Sequence, residues 1–426
     1  MIPEVKRDSM NIAIAGGGAS GMLCAILSAE RGCRVTLIEQ NEKLGKKLYI
    51  TGKGRCNFTN DCTQEEFLAH VISNPRFLYS ASAAFTPQDM IARLESWGLR
   101  TKVERGRRAF PASDRSADVL DTLKAQLKKK KVRVLLNTKV TGLLTDEQGD
   151  VTGVRILSGG AESELPADHV VLATGGISYP STGSTGDGYR FARELGLKVT
   201  PLYPSLVPIS CPEEYIREMQ GLSLKNVELS VRAGKKVLFR EFGEMMFTHF
   251  GITGPLVLSL SAVLGPSVGK KDLTCRIDLK PAVSEEELDA RLVKLFAASP
   301  NKALKTLLHE LYPAKMQPVI PVIAGIDPDR KAHEITRAER AALVGATKRF
   351  PLTLSALRGY NEAVVTKGGV AVSGIVPGTM CVKSRQHVSV IGELLDLDAF
   401  TGGYNLQIAW CTAAACAAGL PCGQEK

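Results

Sequence analysis

Residues 11–21 read NIAIAGGGASG, an apolar strand followed by the glycine turn G-x-G-x-x-G at the start of a predicted helix. A second apolar strand, residues 34–38 (RVTLI), follows that helix and ends at an acid, Glu39. In this order the first glycine permits a tight turn, the second lets the backbone approach a diphosphate, and the third lets the helix pack on the strand. The stretch therefore predicts a dinucleotide site in an α/β, Rossmann-like fold.

The same stretch predicts which residues contact the dinucleotide. The phosphates should meet the amides at the helix N-terminus, where the helix dipole also favours an anion. Glu39 should accept hydrogen bonds from the ribose hydroxyls of the adenosine. These contacts comprise Gly16, Gly18, Ala19, Ser20, Gly21, Glu39 and Gln40. The alternative is a glycine turn without a ligand, since the chain has 40 glycines, but the order of strand, helix and acid argues against it.

The composition indicates a globular chain of more than one domain. It has 426 residues, 44% of them hydrophobic, which is enough for two or three domains. The net charge of +10 suits a dinucleotide or an acidic substrate and also suits nucleic acid. The densest cationic run, residues 128–131, follows a predicted helix at 118–127, so we expect a solvated helix end there.

We expect a cytoplasmic protein without a membrane span. The longest apolar stretches, around 252–265 and 408–420, are too short and contain proline, serine, threonine or glycine. The first eight residues carry acids where a signal peptide needs an apolar segment. The ten cysteines show neither C-x-x-C nor a metal-ligand spacing with histidine. They therefore predict reduced thiols and no metal site.

The dinucleotide-binding domain is expected to be discontinuous. Apolar segments at 132–136, 139–144, 151–157 and 169–173 predict a β-meander that returns to the main sheet. After Lys198 the composition changes, with alternation and a hairpin signal within 221–247 and helical periodicity within 284–346. Strand character returns at 362–366 and 388–391, and a helix at about 403–418 closes the chain.

This pattern predicts one domain from residues 1–197 and 346–426, interrupted by an inserted domain at 198–345. Within the insertion we expect a β-barrel-like unit at about 198–280 and a helical part at about 281–345. The inserted domain would shape the substrate pocket.

Ordered blocks along the chain also carry a family resemblance. They read LGKKL (44–48), TGKGRCN (51–57), FP with SD (110–111, 113–114), ATGGISYP (173–180), TGSTGDG (182–188), PSLVP (204–208), FTHFGITGP (247–255) and GELLD with TGGYN (392–396, 401–405). The sequence resembles the NAD(P)/FAD-dependent flavoproteins that include aminoacetone-oxidase-like and dehydro-bile-acid-reductase-like proteins. The resemblance implies FAD as the dinucleotide and an inserted β-plus-helical domain.

The residues give weaker support for one long cofactor. There is one good phosphate fingerprint, because the glycines of residues 183–188 stand in the wrong order for a second. We expect Lys46 and Lys47 to meet phosphates, residues 54–57 to lie beside the flavin ring, and Glu393 to contact the ribityl or diphosphate region. The further contacts assigned to FAD are Gly54, Arg55, Cys56, Asn57, Val140, Thr174, Gly175, Gly176, Gly392, Gly402, Gly403, Tyr404 and Asn405.

Several of these assignments have structural alternatives. Residues 174–176 also fit an ordinary strand-to-loop turn, and residues 402–405 fit a glycine-capped core helix. As part of the flavin site, that helix N-terminus would stabilise the negative charge of a reduced flavin. Cys56 has no evident partner, so a packing role is preferred over a redox role.

The predicted chemistry passes electrons from transiently bound NADH or NADPH through FAD to a small organic acceptor, such as an enone C=C bond. Tyr179 and His249 are the candidate proton donors for that reduction. A purely structural role for the histidine is an equal alternative.

Two other functions stay open. One is a flavin oxidase of a small amine or ketone that produces peroxide. The other, ranked last, is a flavin-bearing nucleic-acid-associated protein, motivated by the +10 charge. Residues 128–131 have no aromatic neighbours to support it. The sequence does not decide the substrate, the choice between NADH and NADPH, or the oligomeric state.

Overall fold

The computed structural model describes residues 9–270 and 272–422, so the first eight residues, examined above for a leader, lie outside it. The chain divides into two compact units. The first runs to Pro204 and resumes at Ala363, and the second is Ser205–Glu362. Both junctions fall later in the chain than the expected boundaries, 197/198 and 345/346.

The chain up to the second unit alternates strands and helices. Its elements are β1 (Asn11–Ala15), α1 (Ala19–Glu30), β2 (Arg34–Ile38), α2 (Lys46–Ile50), β3 (Thr59–Asn60), α3 (Gln64–Ala69), α4 (Tyr79–Ala84), α5 (Pro87–Ser96), β4 (Thr101–Glu104), β5 (Arg108–Pro111), α6 (Ser116–Lys129), β6 (Arg133–Leu135), β7 (Thr138–Thr145), β8 (Val151–Ser158), β9 (Ala161–Pro166), β10 (His169–Leu172), α7 (Asp187–Glu194) and β11 (Tyr203–Ser205).

The second unit and the returning segment complete the chain. The second unit contains β12 (Ile209–Ser210), α8 (Glu214–Glu218), β13 (Ser223–Ala233), β14 (Lys236–Phe247), β15 (Gly251–Thr253), α9 (Pro255–Leu264), β16 (Leu273–Asp278), α10 (Glu285–Ala298), α11 (Leu304–Leu307), α12 (Val319–Ile323), α13 (Arg337–Lys348), β17 (Phe350–Leu352) and β18 (Ala356–Leu357). The returning segment contains β19 (Val365–Lys367), β20 (Val388–Val390) and α14 (Tyr404–Gly419).

A parallel sheet forms the core of the first unit, with strand order β20-β10-β1-β2-β6. Strands β10 and β20 are buried along their whole length, and α1 and α14 pack on each other. Continuous burial is typical of a parallel sheet that is covered on both faces. The predicted α/β, Rossmann-like fold is therefore confirmed.

The glycine turn fixes how α1 leaves β1. Gly16 has a φ of 111°, which L side chains rarely adopt. A Cβ on Gly21 would overlap the carbonyl oxygen of Gly16. The N-terminus of α1 therefore lies directly beyond the carboxyl end of β1.

The observed meander lacks the first strand that was predicted and has a last strand that was not. Strands β7, β8 and β9 form an antiparallel sheet in that order. The segment expected at 132–136 is β6 and pairs with β2 in the parallel sheet, so its place in the meander was wrong. Strand β9 was missed because its sequence, AESELP, is polar and mostly exposed. Strand β10 returns to the main sheet as predicted.

The second unit combines an antiparallel sheet with helices, in agreement with the predicted β-plus-helical composition. The sheet order is β17-β16-β13-β14-β15-β12-β18. Strands β13 and β14 form a hairpin within residues 221–247, where the sequence predicted one. Helix α10 begins at Ser284 with a capping box to Glu287. The helix read near residues 302–311 is shorter, because α11 ends at Leu307 and a 3-10 turn follows.

The prediction that every cysteine is a reduced thiol was wrong. Cys33 and Cys422 form a disulfide with their Cα atoms 5.7 Å apart. No spacing rule could reveal the bond, because its two cysteines are 389 positions apart in the sequence. Within residues 9–270 and 272–422 no group of side chains could hold a metal ion, and no helix is long and apolar enough to cross a membrane.

Candidate functional site

A cleft with about 1350 Å³ of empty space, part of it open to solvent, lies in the first unit. It is lined by the carboxyl ends of β1, β2 and β10 and by residues of α2 and α14. Ligands of open α/β sheets bind at such strand ends. The predicted contacts that line the cleft are Gly16, Gly18, Ala19, Ser20, Glu39, Gln40, Lys46, Lys47, Val140, Thr174, Gly175, Glu393 and Asn405.

The other predicted contacts are not part of the cleft wall. These residues are Gly21, Gly54, Arg55, Cys56, Asn57, Gly176, Gly392, Gly402, Gly403 and Tyr404. Four of them, Gly21, Gly176, Gly392 and Tyr404, adjoin a lining residue in the chain, and Gly21 packs against the turn at Gly16.

Several lining residues were not assigned from the sequence. They are Thr138, Lys139, the run 182–187, Val364, Val365, Leu397, Leu406, Ile408 and Ala409. The run 182–187 carried a signal, since it belongs to a block that matched the family, but its glycine order spoke against a phosphate fingerprint. The apolar residues had no signal, because their side chains resemble ordinary core residues.

The start of α1 is free to receive an anion. Gly18 is its N-cap residue, with a φ of −79° and no side-chain cap. A Cβ on Gly18 would have no heavy atom within 4 Å. The first amides of a helix have no partner inside the helix, so this open N-terminus suits a phosphate.

Glu39 is held rigidly at the end of β2. It is 8% exposed, and its Oε2 accepts a hydrogen bond from the Gly17 amide at 2.9 Å. Its Oε1 accepts from the Asn41 amide at 2.9 Å and from Asn41 Nδ2 at 2.6 Å. Because Oε2 accepts one hydrogen bond and keeps a second lone pair, Glu39 can still accept from a ribose hydroxyl.

Residues 182–187, here called the glycine strap, lie along the same part of the cleft. Gln40 Nε2 donates to the Gly183 carbonyl at 2.5 Å, and Asn41 Nδ2 donates to the Thr182 carbonyl at 3.0 Å. At the far end of the strap, Lys139 and Asp187 form an ion pair at 3.2 Å. The residues that follow β2 thus position both the acid and the strap.

Lys47 is paired within the protein. Its Nζ donates to Glu393 Oε2 at 2.7 Å, to Glu393 Oε1 at 2.9 Å and to Ser178 Oγ at 2.6 Å. Glu393 Oε1 also accepts from the Thr366 amide at 3.0 Å. An ammonium has three donors, so these contacts occupy all of them. Glu393 therefore neutralises the charge of Lys47 within the protein, whereas the sequence led us to expect that a phosphate would do so.

Thr174 lines the cleft and has a buried hydroxyl that lies against Gly188 of α7. Its Oγ1 is buried and has no hydrogen-bond partner among the described residues. An unsatisfied buried hydroxyl costs free energy, and native proteins rarely retain one without a ligand or water. Thr174 therefore fits a site for a ligand with polar groups.

The segment expected beside the flavin ring is engaged in other contacts. Arg55 Nη2 pairs with Glu104 and with Asp114, each at 2.5 Å, and its guanidinium lies 4.2 Å from the centroid of the Phe110 ring. Cys56 is fully buried, and burial raises the pKa of its thiol to about 12. A thiol that stays protonated is a poor nucleophile, which supports the packing role.

The two candidate proton donors lie in different units. Tyr179 is half-buried in the first unit, has a φ of 50°, and directly follows Ser178, the partner of Lys47. His249 belongs to the second unit, where its exposed ring meets Phe250 edge to face at 5.0 Å. Neither residue lines the cleft.

The N-terminus of α14 reaches the cleft through Asn405, whose side chain bonds both backbone groups of Ala399, at 3.0 Å and 2.8 Å. Tyr404 points elsewhere: its ring stacks on His70 at 4.3 Å, and burial raises its pKa to about 12. Gly403, the N-cap residue of α14, packs against the backbone of Thr59. The glycines here permit close packing and leave Asn405 to face the cleft.

The chain matches known proteins over most of its length. The profile of the family described as "HI0933-like protein Rossmann domain" matches residues 10–419. The 3-dehydro-bile acid delta(4,6)-reductase of Clostridium scindens is 31% identical, over 94% of this chain and 96% of that protein. The ribosomal RNA dihydrouridine synthase of Escherichia coli is 32% identical, over 96% of this chain and 97% of that protein.

A solved structure shares the fold. The 3-ketosteroid delta1-dehydrogenase of Sterolibacterium denitrificans aligns with a TM-score of 0.55 and 12% identity, covering 96% of this chain and 99% of that one. At this identity the likeness shows the fold alone.

Gly18 and Gly21 make a matched pair for testing the anion site. We expect Gly18→Ala to leave the melting temperature of the apoprotein unchanged and to weaken FAD binding about tenfold or more, because the methyl group fills the space for the diphosphate. Gly21→Ala should instead cost about 3 kcal/mol of folding free energy through overlap with Gly16. Calorimetric melting and FAD titration measure both effects. Unchanged FAD affinity in Gly18→Ala would place the diphosphate elsewhere.

A double-mutant cycle tests what Lys47 does. The side chains of Lys47 and Glu393 are 22% and 21% exposed, so Lys47→Met leaves a largely buried carboxylate without its partner. We expect it to destabilise the apoprotein by about 1–3 kcal/mol and to weaken FAD binding about tenfold.

The added substitution Glu393→Gln should restore most of both losses, which melting curves and FAD titration measure. If Lys47 binds a phosphate directly, the double variant will bind FAD as weakly as Lys47→Met alone. Lys43→Met is the control, because Lys43 is exposed and does not line the cleft.

Proposed function

The chain belongs to the HI0933-like family of FAD-binding Rossmann proteins, and we propose that this flavoprotein reduces a C=C bond conjugated to a carbonyl, with NADH or NADPH as electron donor. The observation that carries the proposal is the cleft, which joins the free N-terminus of α1, the fixed carboxylate of Glu39 and the unpartnered hydroxyl of Thr174. The proposed acceptor is a small enone.

The two named relatives support this type of reaction. One name describes a delta(4,6)-reductase of a 3-dehydro bile acid, and the other a dihydrouridine synthase. Dihydrouridine differs from uridine by two hydrogens across a C=C bond that is conjugated to a carbonyl. Both names therefore describe a reaction that changes the number of hydrogens on a conjugated C=C bond, although the acceptors differ greatly in size.

Each region of the cleft has a proposed task. The amides at Gly18, Ala19 and Ser20 hold the diphosphate, and Glu39 accepts from the adenosine ribose. Lys47 neutralises Glu393, so the acid can accept hydroxyl groups of the cofactor without repelling its diphosphate. FAD, when bound, supplies the hydride that the acceptor carbon receives.

Reduction of a conjugated C=C bond also requires a proton at the neighbouring carbon. We assign this task to Tyr179, with His249 as the alternative. Tyr179 lies in the unit that contains the cleft and is fixed by its neighbours, since its carbonyl accepts from the Thr182 amide at 2.9 Å.

A uracil base in RNA is the second candidate acceptor, and a surface of the first unit favours it. The turn between β4 and β5 exposes Arg105, Arg107 and Arg108. Arg108 lies 5.8 Å from the centroid of the Phe110 ring, and a Cβ on Gly52 would lie 3.8 Å from that ring. The exposed Tyr49 lies on α2, close in sequence to Gly52. The Phe110 ring itself is buried, so this surface offers a nucleic acid exposed cations, which suit its phosphates.

The lysine run at residues 128–131 supports RNA binding less than the arginine surface does. Helix α6 ends at Lys129, and Lys130 pairs with Glu30 at 3.4 Å. The run is the solvated helix end expected from the sequence.

Anaerobic mixing with NADH and then NADPH tests the electron donor. We expect one of them to bleach the visible flavin absorbance within seconds, because hydride transfer to the flavin removes that band. Stopped-flow absorbance measures the rate. If neither bleaches the flavin and a small amine or ketone does, with peroxide formed on admission of oxygen, the protein is an oxidase and the proposal fails.

Reoxidation of the reduced flavin tests the acceptor. A steroidal dienone should restore the absorbance without oxygen, and Tyr179→Phe should slow that step at least about tenfold while leaving bleaching unchanged. His249→Gln should show that effect instead if the histidine donates the proton. A dienone that never reoxidises the flavin contradicts the small-enone proposal.

Reoxidation by uridine-containing RNA would establish the second candidate. The double variant Arg105→Gln/Arg108→Gln should then weaken RNA binding and reduce its salt dependence. Lys128→Gln/Lys129→Gln is the matched control, since it removes the same charge from the end of α6.

A further inference from the structure

The disulfide joins two distant parts of the first unit. Cys33 lies in the turn between α1 and β2, and Cys422 lies three residues beyond the end of α14. Their Cα separation of 5.7 Å is usual for a disulfide. Arg31 Nη2 donates to the Leu420 carbonyl at 3.2 Å beside the bond. The end of α14 is therefore attached covalently to a turn of the Rossmann motif.

We infer that Cys33 and Cys422 are a redox-reversible modification site that controls the anchoring of the C-terminal end of α14. A thiolate of a dithiol reductant attacks one sulfur and breaks the S–S bond. The second thiol of the reductant then releases the mixed disulfide. Two electrons pass from the reductant, which becomes a disulfide, and Cys33 and Cys422 gain the two protons as thiols. A small-molecule disulfide reverses the reaction by the same exchange.

The two ends of α14 are held differently. Near its start, Trp410 Nε1 donates to the Phe58 carbonyl at 2.8 Å and Gln407 Nε2 donates to the Phe85 carbonyl at 3.0 Å. These bonds do not involve the disulfide, and they hold the part of the helix that lines the cleft. At the other end, the disulfide acts beside the part-buried contact of Arg31 with the Leu420 carbonyl. Reduction should therefore loosen the last turns of α14, which keep their buried packing at Cys416 and Leu420, and leave the cleft intact.

A nearby buried thiol of the same interface should not interfere with this exchange. Cys24 of α1 and Cys416 of α14 are both completely buried, whereas Cys33 and Cys422 keep 7% and 5% exposure. The hydrogen bond with Cys24, together with burial, raises the pKa of Cys416 well above its usual range. A buried thiol with a raised pKa is a poor nucleophile, so Cys416 should not compete with an external dithiol in attacking the disulfide.

Peptide mapping and melting of the FAD-loaded protein test the site. After exposure to oxidised glutathione, alkylation and proteolysis, mass spectrometry should find the Cys33 and Cys422 peptides linked. Reduction by tris(2-carboxyethyl)phosphine should lower the melting temperature by about 5 °C or more, because the bond closes a very long loop. It should also speed amide exchange in residues 412–420 about tenfold, without release of FAD.

Two variants decide the interpretation. Cys33→Ser/Cys422→Ser should melt like the reduced protein and should not respond to the phosphine, whereas Cys381→Ser should keep the full response. The inference is overturned if no linked peptide forms, or if the double variant responds to the phosphine as the wild type does. Loss of FAD on reduction would show that the bond anchors the cleft itself and would overturn the separation of the two helix ends. None of these readouts depends on the acceptor.

Discussion

The close approach of α1 to β1 is the constraint on which the rest of the first unit depends. No side chain fits at Gly21, because its position is filled by the carbonyl oxygen of Gly16, and Gly16 itself needs a positive φ. This packing places the free amides of α1 at the end of the central strand. The neighbouring strands β2 and β10 then bring Glu39 and Thr174 to the same edge, because the carboxyl ends of parallel strands coincide. The cleft is thus a consequence of sheet topology more than of any single side chain.

Charge inside the cleft is largely compensated within the protein. Lys47 and Glu393 form one neutral pair, and Lys139 and Asp187 form another. A diphosphate would therefore be bound chiefly by backbone amides and the dipole of α1, which leave little side-chain charge to desolvate. Other cations lie outside the cleft, as Arg105 and Arg108 do at the exposed connection of β4 to β5. The net charge of the chain consequently says little about its cofactor and more about what approaches the surface.

The sequence predicted the features that are encoded by neighbouring residues. The glycine turn, the β13–β14 hairpin and the closing helix depend on local periodicity and on glycine, which few other residues can replace. Features that depend on tertiary contacts were missed or misread. The polar strand β9 has no apolar alternation, β6 is too short to reveal its sheet, and the disulfide joins residues 389 apart. Arg55 was expected at the cofactor because it follows a basic loop, but its partners Glu104 and Asp114 are distant in sequence and could not be foreseen.

For the same reason, the cofactor is easier to predict from the sequence than the acceptor. Binding a dinucleotide requires backbone geometry that tolerates little change, so one strand–turn–helix suffices to predict it. The acceptor is recognised by side chains with no fixed spacing. Accordingly, relatives at 31% and 32% identity carry names with acceptors as different as a bile acid and ribosomal RNA. Proteins of one fold can therefore share a cofactor site and differ in the acceptor, which is recognised by the surfaces around the cleft.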